Sequence, residues 1–80
     1  MGGAQPSTMS LKVVTWSGQE IFYKVKPTTK MERLFNAFCE RLGLNLSDVR
    51  FKFNGRRVRA SQDCAHYEMQ DGDVIEVELL

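Results

Sequence analysis

The ten residues "VRFKFNGRRV", Val49 to Val58, constrain this chain more than any other stretch. Val49, Phe51 and Phe53 alternate with Arg50 and Lys52, which is the period of a strand with one buried face. Asn54-Gly55 then interrupts the run. Both central residues of a type I′ turn need positive φ, and Asn followed by Gly meets that need best. Arg57 to Arg59 reads as the brief return strand. A hairpin with one apolar face needs a second layer over that face, and the rest of the chain must supply it.

One segment can do so. "TTKMERLFNAFCERLG" places Met31, Leu34, Phe35, Phe38 and Leu42 at helical spacing. Thr29 and Glu32 have the spacing of a capping box, and Gly43 is a natural stop. The spacing therefore predicts an amphipathic helix over residues 29–42. Upstream, "LKVVTW" (11–16) and "IFYKVKP" (21–27) read as two strands joined across "SGQ", an antiparallel hairpin. In the second strand Ile21, Tyr23 and Val25 face one way, and Phe22, Lys24 and Lys26 the other; Pro27 ends it. Downstream, "ASQDCAHYEMQDGD" is polar, with one short helical turn around Ala65 to Tyr67, and "VIEVELL" forms a last strand. The order is strand, strand, helix, strand, short strand, strand: an α+β arrangement with one helix packed on a sheet.

The chain has 80 residues, enough for one domain. Residues 1–8 lack apolar periodicity and read as a flexible arm, leaving 9–80 as the domain. No apolar run has the length needed to span a membrane, and the N-terminus has no signal-peptide core. Cys39 and Cys64 are too few for a disulfide framework and read as free thiols in a reducing compartment, the nucleus or cytoplasm. Cys64 and His66 are two ligands, which do not make a zinc site. No phosphate-cradling loop, paired catalytic acids or serine triad occurs, so the chain is not expected to be an enzyme or to hold a cofactor or metal. Arg50, Lys52, Arg56, Arg57 and Arg59 form a basic cluster, but no aromatics are interleaved for base stacking, so nucleic-acid binding is not expected.

The order of elements, together with "EIFYKVKPTT" (20–29), "FCERLGL" (38–44), "VRFKFNGRRV" (49–58) and "EMQDGDVIEV" (68–77), resembles the small ubiquitin-like modifier (SUMO) family. The resemblance implies a ubiquitin-like β-grasp on a mixed sheet. It also implies a monomer that is conjugated to substrate lysines through a C-terminal Gly-Gly and is read noncovalently by short SUMO-interacting motifs. The sequence departs from the pattern in three ways. It stops at "VELL" without Gly-Gly, it has Asp63-Cys64 where Thr-Pro is usual, and it has Asn54 where an acid often precedes the hairpin glycine. The alternative is a SUMO-like domain of a larger protein that binds partners without being conjugated. A β-grasp scaffold with a surface altered to hold one target is a third reading, consistent with Trp16 and Phe22 on the first hairpin.

Carried over by position, the motif groove would comprise Tyr23, Lys24, Val25 and Lys26 on the second strand and Arg33, Leu34, Ala37, Phe38 and Arg41 on the helix. The apolar members would receive aliphatic side chains, and the cations would favour acidic flanks. The resemblance also implies a surface for the conjugating enzyme of the pathway, at Asn54, Gly55, Glu68, Gln70, Asp71 and Asp73.

Overall fold

The computed structural model describes residues 8–80. The arm expected over residues 1–8 therefore lies, except for Thr8, outside the described residues. Strands β1 (Met9–Val14), β2 (Glu20–Val25), β3 (Val49–Phe53), β4 (Arg56–Arg57) and β5 (Val74–Leu79) form one sheet in the order β2-β1-β5-β3-β4. β1 and β5 run parallel at its centre, and the other pairs are antiparallel. Helix α1 (Met31–Leu42) covers one face. This is the mixed-sheet β-grasp that the order of elements implied. Short 3₁₀ turns occupy Leu46–Asp48, which the sequence did not reveal, and Ala65–Tyr67, which it did.

The core lies between helix and sheet. Met31, Leu34, Phe35, Phe38 and Cys39 pack into one cluster with Leu11, Val13, Ile21, Val25, Phe51, Ile75 and Val77. Phe51 is its hub. Its ring stacks on Phe35 at 3.8 Å between centroids and meets Phe38 edge-on at 5.5 Å.

Element boundaries differ from expectation by a residue or two, and at the two hairpins the reason is local. β1 ends at Val14 rather than Trp16 because Thr15 closes the hairpin turn. Its Oγ1 accepts the Gln19 N–H at 3.0 Å, and its backbone N–H donates to the Gln19 carbonyl at 2.9 Å. The return strand is Arg56–Arg57, because Asn54 (φ 53°) and Gly55 (φ 79°) make the two-residue turn and set Arg56 opposite Phe53. Arg59 leaves the ladder, and its N–H donates to Tyr67 Oη at 2.7 Å.

The helix starts at Met31, and the capping box of Thr29 and Glu32 does not form. Thr29 Oγ1 instead accepts the Lys26 N–H at 2.9 Å, closing the turn after β2. The first helical amides find acceptors on a distant loop: Met31 N–H donates to the Gln62 carbonyl at 2.8 Å and Glu32 N–H to that of Ala60 at 3.1 Å. A side-chain cap is replaced by tertiary contact. At the other end Gly43 is left-handed (φ 68°), and Leu44 N–H returns to the Cys39 carbonyl at 2.8 Å, the bond that ends a helix on a glycine.

Candidate peptide-binding cleft

Among the described residues β2 is an edge strand with β1 as its only neighbour. Met9 faces Val25, Leu11 faces Tyr23, and Val13 faces Ile21 across that pair. Among the described residues, Ile21 to Val25 make no backbone bond outside the β1 ladder. Their outward N–H and C=O groups are therefore available to an added strand. The adjoining helix turns this edge into one wall of a cleft of about 650 Å³.

Seven of the nine groove residues expected from the sequence line this cleft: Tyr23, Lys24, Val25, Lys26, Arg33, Leu34 and Ala37. Two do not. Phe38 is fully buried and points at Phe51, so it belongs to the core rather than the slot. Arg41 is exposed, one turn beyond Ala37, and lies outside the lining. The lining also gains Thr28, Thr29 and Lys30, from the turn between β2 and the helix. Placing them required knowing that this turn folds back over the strand end, which no local pattern announced.

The apolar floor is shallow. Val25 is 7% exposed and Leu34 3%, so both offer mainly an edge. Half-buried Tyr23 and exposed Ala37 offer more. Tyr23 Oη is buried and has no hydrogen-bond partner among the described residues, which is uncommon for a polar atom in a native fold. Burial pushes its phenol above its ordinary value; the positive charge of Arg41 partly opposes this, and Cys39 adds to the rise. The rim is cationic. Lys24, Lys26 and Arg33 make no ion pair with any described residue. Among the described residues Lys30 Nζ reaches only the Ser61 carbonyl, at 3.4 Å. The cleft can thus offer an open strand edge, a shallow apolar floor and four positive charges together.

The residues expected to meet a conjugating enzyme divide. Asn54, Glu68, Gln70 and Asp73 line one depression of about 580 Å³, together with Arg56, His66 and Tyr67. Asp71 and Gly55 are not part of that lining. Asp71 Oδ1 accepts the Ser10 N–H at 2.7 Å and so anchors the start of β1. Gly55 borders a separate hollow beside Trp16 on the other side of the hairpin.

The two thiols are buried. Cys64 Sγ lies 3.6 Å from the Thr29 carbonyl, to which it donates. Burial and the charge of Asp63 push its pKa up to about 11, opposite to the shift a nucleophilic cysteine needs. Cys64 is buried and His66 exposed, and among the described residues no group of three or more metal-ligating side chains forms. Within the basic cluster, Lys52 Nζ and Arg50 Nη1 approach Glu78 at 3.2 and 3.8 Å; Arg56, Arg57 and Arg59 have no acidic partner among the described residues.

Sequence comparison decides the family. The model of the family described as "Ubiquitin-2 like Rad60 SUMO-like" matches residues 9–79. The chain belongs to this SUMO-like family of ubiquitin-like proteins. It is 39% identical over 75 residues to small ubiquitin-related modifier 2 of Arabidopsis thaliana, covering 94% of this chain and 73% of that one. It is 40% identical over 77 residues to the ubiquitin-like protein pmt3/smt3 of Schizosaccharomyces pombe, covering 94% of this chain and 66% of that one. Human small ubiquitin-related modifier 2 is 36% identical over 69 residues, covering 86% and 73%. In this SUMO-like domain no described helix is long and apolar enough to cross a membrane.

Proposed function

We propose that this chain is the globular part of a SUMO-type modifier, read noncovalently by extended aliphatic peptides with acidic flanks that dock on β2. The observation that carries this reading is the coincidence, at one place, of the unpaired β2 edge, the Tyr23–Ala37 floor and the Lys24–Arg33 rim. An added strand gains main-chain bonds from the edge. Its alternate side chains rest on the floor, and its acids meet the cations. Because Val25 and Leu34 expose so little, each aliphatic anchor gains less than the ~1.5–3 kcal/mol of full burial. Set against the cost of association, this gives micromolar affinity, roughly −8 kcal/mol.

Conjugation is the second part of the proposal, and the relatives' names as modifiers support it. A C-terminal Gly-Gly following the last strand would be adenylated, passed on as a thioester and joined to a substrate lysine. Glycines suit this because they thread narrow active sites. The depression at Asn54, Glu68, Gln70 and Asp73 would face the conjugating enzyme. The protein would act as a monomer in nucleus and cytoplasm, as a ligand of enzymes rather than as an enzyme. One feature favours the alternative of a non-conjugated interaction domain: Asn54 replaces the expected acid at the hairpin tip, and Arg56 dilutes the acids beside it.

Two measurements test these claims. Lys24→Glu with Arg33→Glu should leave the fold intact and weaken binding of a Val-Ile-Asp-Leu peptide with an acidic flank about tenfold. Unchanged binding would remove the docking claim. A chain extended to Gly-Gly and given ATP with the pathway's activating and conjugating enzymes should form a thiol-sensitive adduct. No adduct would favour the non-conjugated domain.

A further inference from the structure

A second cleft, of about 390 Å³, lies on the far side of the helix from the first. We propose that it is an independent docking site for a short acidic peptide segment bearing one large aliphatic or aromatic anchor. The inference goes beyond the function proposed above and uses none of its residues.

The sheet has two edges, and the second is only partly closed. β4 is two residues long and pairs with Lys52 and Phe53 alone. Beyond it, Val58 N–H donates to the Phe51 carbonyl at 2.8 Å, and then the chain departs toward Arg59 and Ala60. Among the described residues, the β3 edge at Val49 and Arg50 therefore has no strand beside it on that side. The 3₁₀ turn Leu46–Asp48 and the segment from Arg57 to Ser61 wall this gap.

The floor is apolar: Phe35, Val49 and Val58 are each more than nine-tenths buried but form its base. Leu46 stands on the wall at 42% exposure, an aliphatic side chain left in water beside an apolar floor. The rim is basic. Arg57 and Arg59 are exposed, line the cleft and have no acidic partner among the described residues. Arg50 also borders it, but its Nη1 lies 3.8 Å from Glu78, so the free positive charge of the rim is that of Arg57 and Arg59. The nearest acid of the same 3₁₀ turn, Asp48, is not part of the lining; Asn45 Nδ2 donates to its Oδ2 at 3.3 Å.

Charge complementarity selects an acidic occupant. The apolar base and the exposed Leu46 select one with an aliphatic or aromatic anchor, which a phosphate backbone lacks. Nucleic acid would need exposed rings to stack on, and Phe35 and Phe51 spend their faces on each other. The short length of open edge limits main-chain pairing to a residue or two, so the site suits a brief segment rather than a full added strand. With both clefts filled, the domain would join two acidic segments across its helix and raise avidity without any new contact.

The experiment is an amide-resolved NMR titration of the intact chain with a Glu-Asp-Leu-Glu-Asp-type peptide, with a twelve-nucleotide single strand in parallel. The peptide should shift the amides of Leu46, Val49 to Phe51 and Arg57 to Ser61. Arg57→Glu with Arg59→Glu should weaken those shifts about tenfold, while Lys24→Glu with Arg33→Glu leaves them unchanged. Leu46→Ser, at an exposed position, should weaken them without touching the arginines. Peptide shifts confined to β2 and the helix face beside it would overturn the proposal while leaving the first cleft standing. Oligonucleotide shifts at these amides without peptide shifts would overturn it in favour of a nucleic-acid surface.

Discussion

Phe38 gives the sharpest test of which residues hold this domain together and which meet a partner. The family resemblance assigned it to the groove; its complete burial and edge-on contact with Phe51 at 5.5 Å assign it to the core. Phe38→Leu keeps the site apolar but removes part of the ring and leaves a small void against Phe51. Such large-to-small changes at fully buried sites cost about 1–2 kcal/mol, below the ~3–5 of a change to alanine. At ~0.05–0.15 kcal/mol per residue, 80 residues give a total stability of about 4–12 kcal/mol, so the variant remains folded. With a urea slope near ~1 kcal/mol per molar for so small a domain, the unfolding midpoint should fall by roughly 1–2 M. Peptide affinity at the β2 cleft should stay within about threefold, because the side chain does not reach the cleft. An unchanged midpoint with tenfold weaker binding would refute the reasoning and return Phe38 to the groove.

Two further outcomes follow from local geometry. Gly55→Val places a β-branched residue at φ 79°, where a Cβ meets nothing within 4 Å, so the cost is backbone strain alone. It should be about 1–2 kcal/mol, lowering Tm by roughly 5–15 °C; a Tm within a degree of the parent would contradict the turn assignment. The raised pKa of Cys64, about 11 against an ordinary 9.0, means that the unfolded chain loses this proton at lower pH than the folded one. The stability it contributes is complete below pH 9 and is lost as pH rises from about 9 through 11. Denaturant melts across that range should show the decline, Cys64→Ala should flatten it, and an equal slope in both proteins would count against the assignment.

Much of the fold was legible because its signals are local. Asn54-Gly55 fixed a hairpin register that the positive φ angles reproduce, and helical spacing found the buried face of the helix residue for residue up to Phe38. What stayed hidden depends on distant partners. Thr29 and Glu32 have the spacing of a cap, yet the carbonyls of Ala60 and Gln62 take the helix amides, and Thr29 turns back to Lys26. Periodicity could not separate Leu34, which keeps an edge on the cleft, from Phe38, which keeps none; only the position of Phe51 beneath the helix distinguishes them. The second cleft was invisible for the same reason, since its floor and rim come from the helix, a 3₁₀ turn and the strand after the hairpin. The resemblance placed Asp71 on the conjugating-enzyme surface, and nothing near it in sequence shows that its carboxylate also holds the Ser10 N–H.

Hydrogen exchange along β2 tests the central claim most directly. In the unliganded protein, the alternate amides of Ile21 to Val25 that point away from β1 should exchange quickly, while those in the β1 ladder are protected. Saturating acidic-aliphatic peptide should slow the outward set and leave the inward set unchanged. Outward amides already protected without peptide, or still fast at saturation, would mean that no strand adds there.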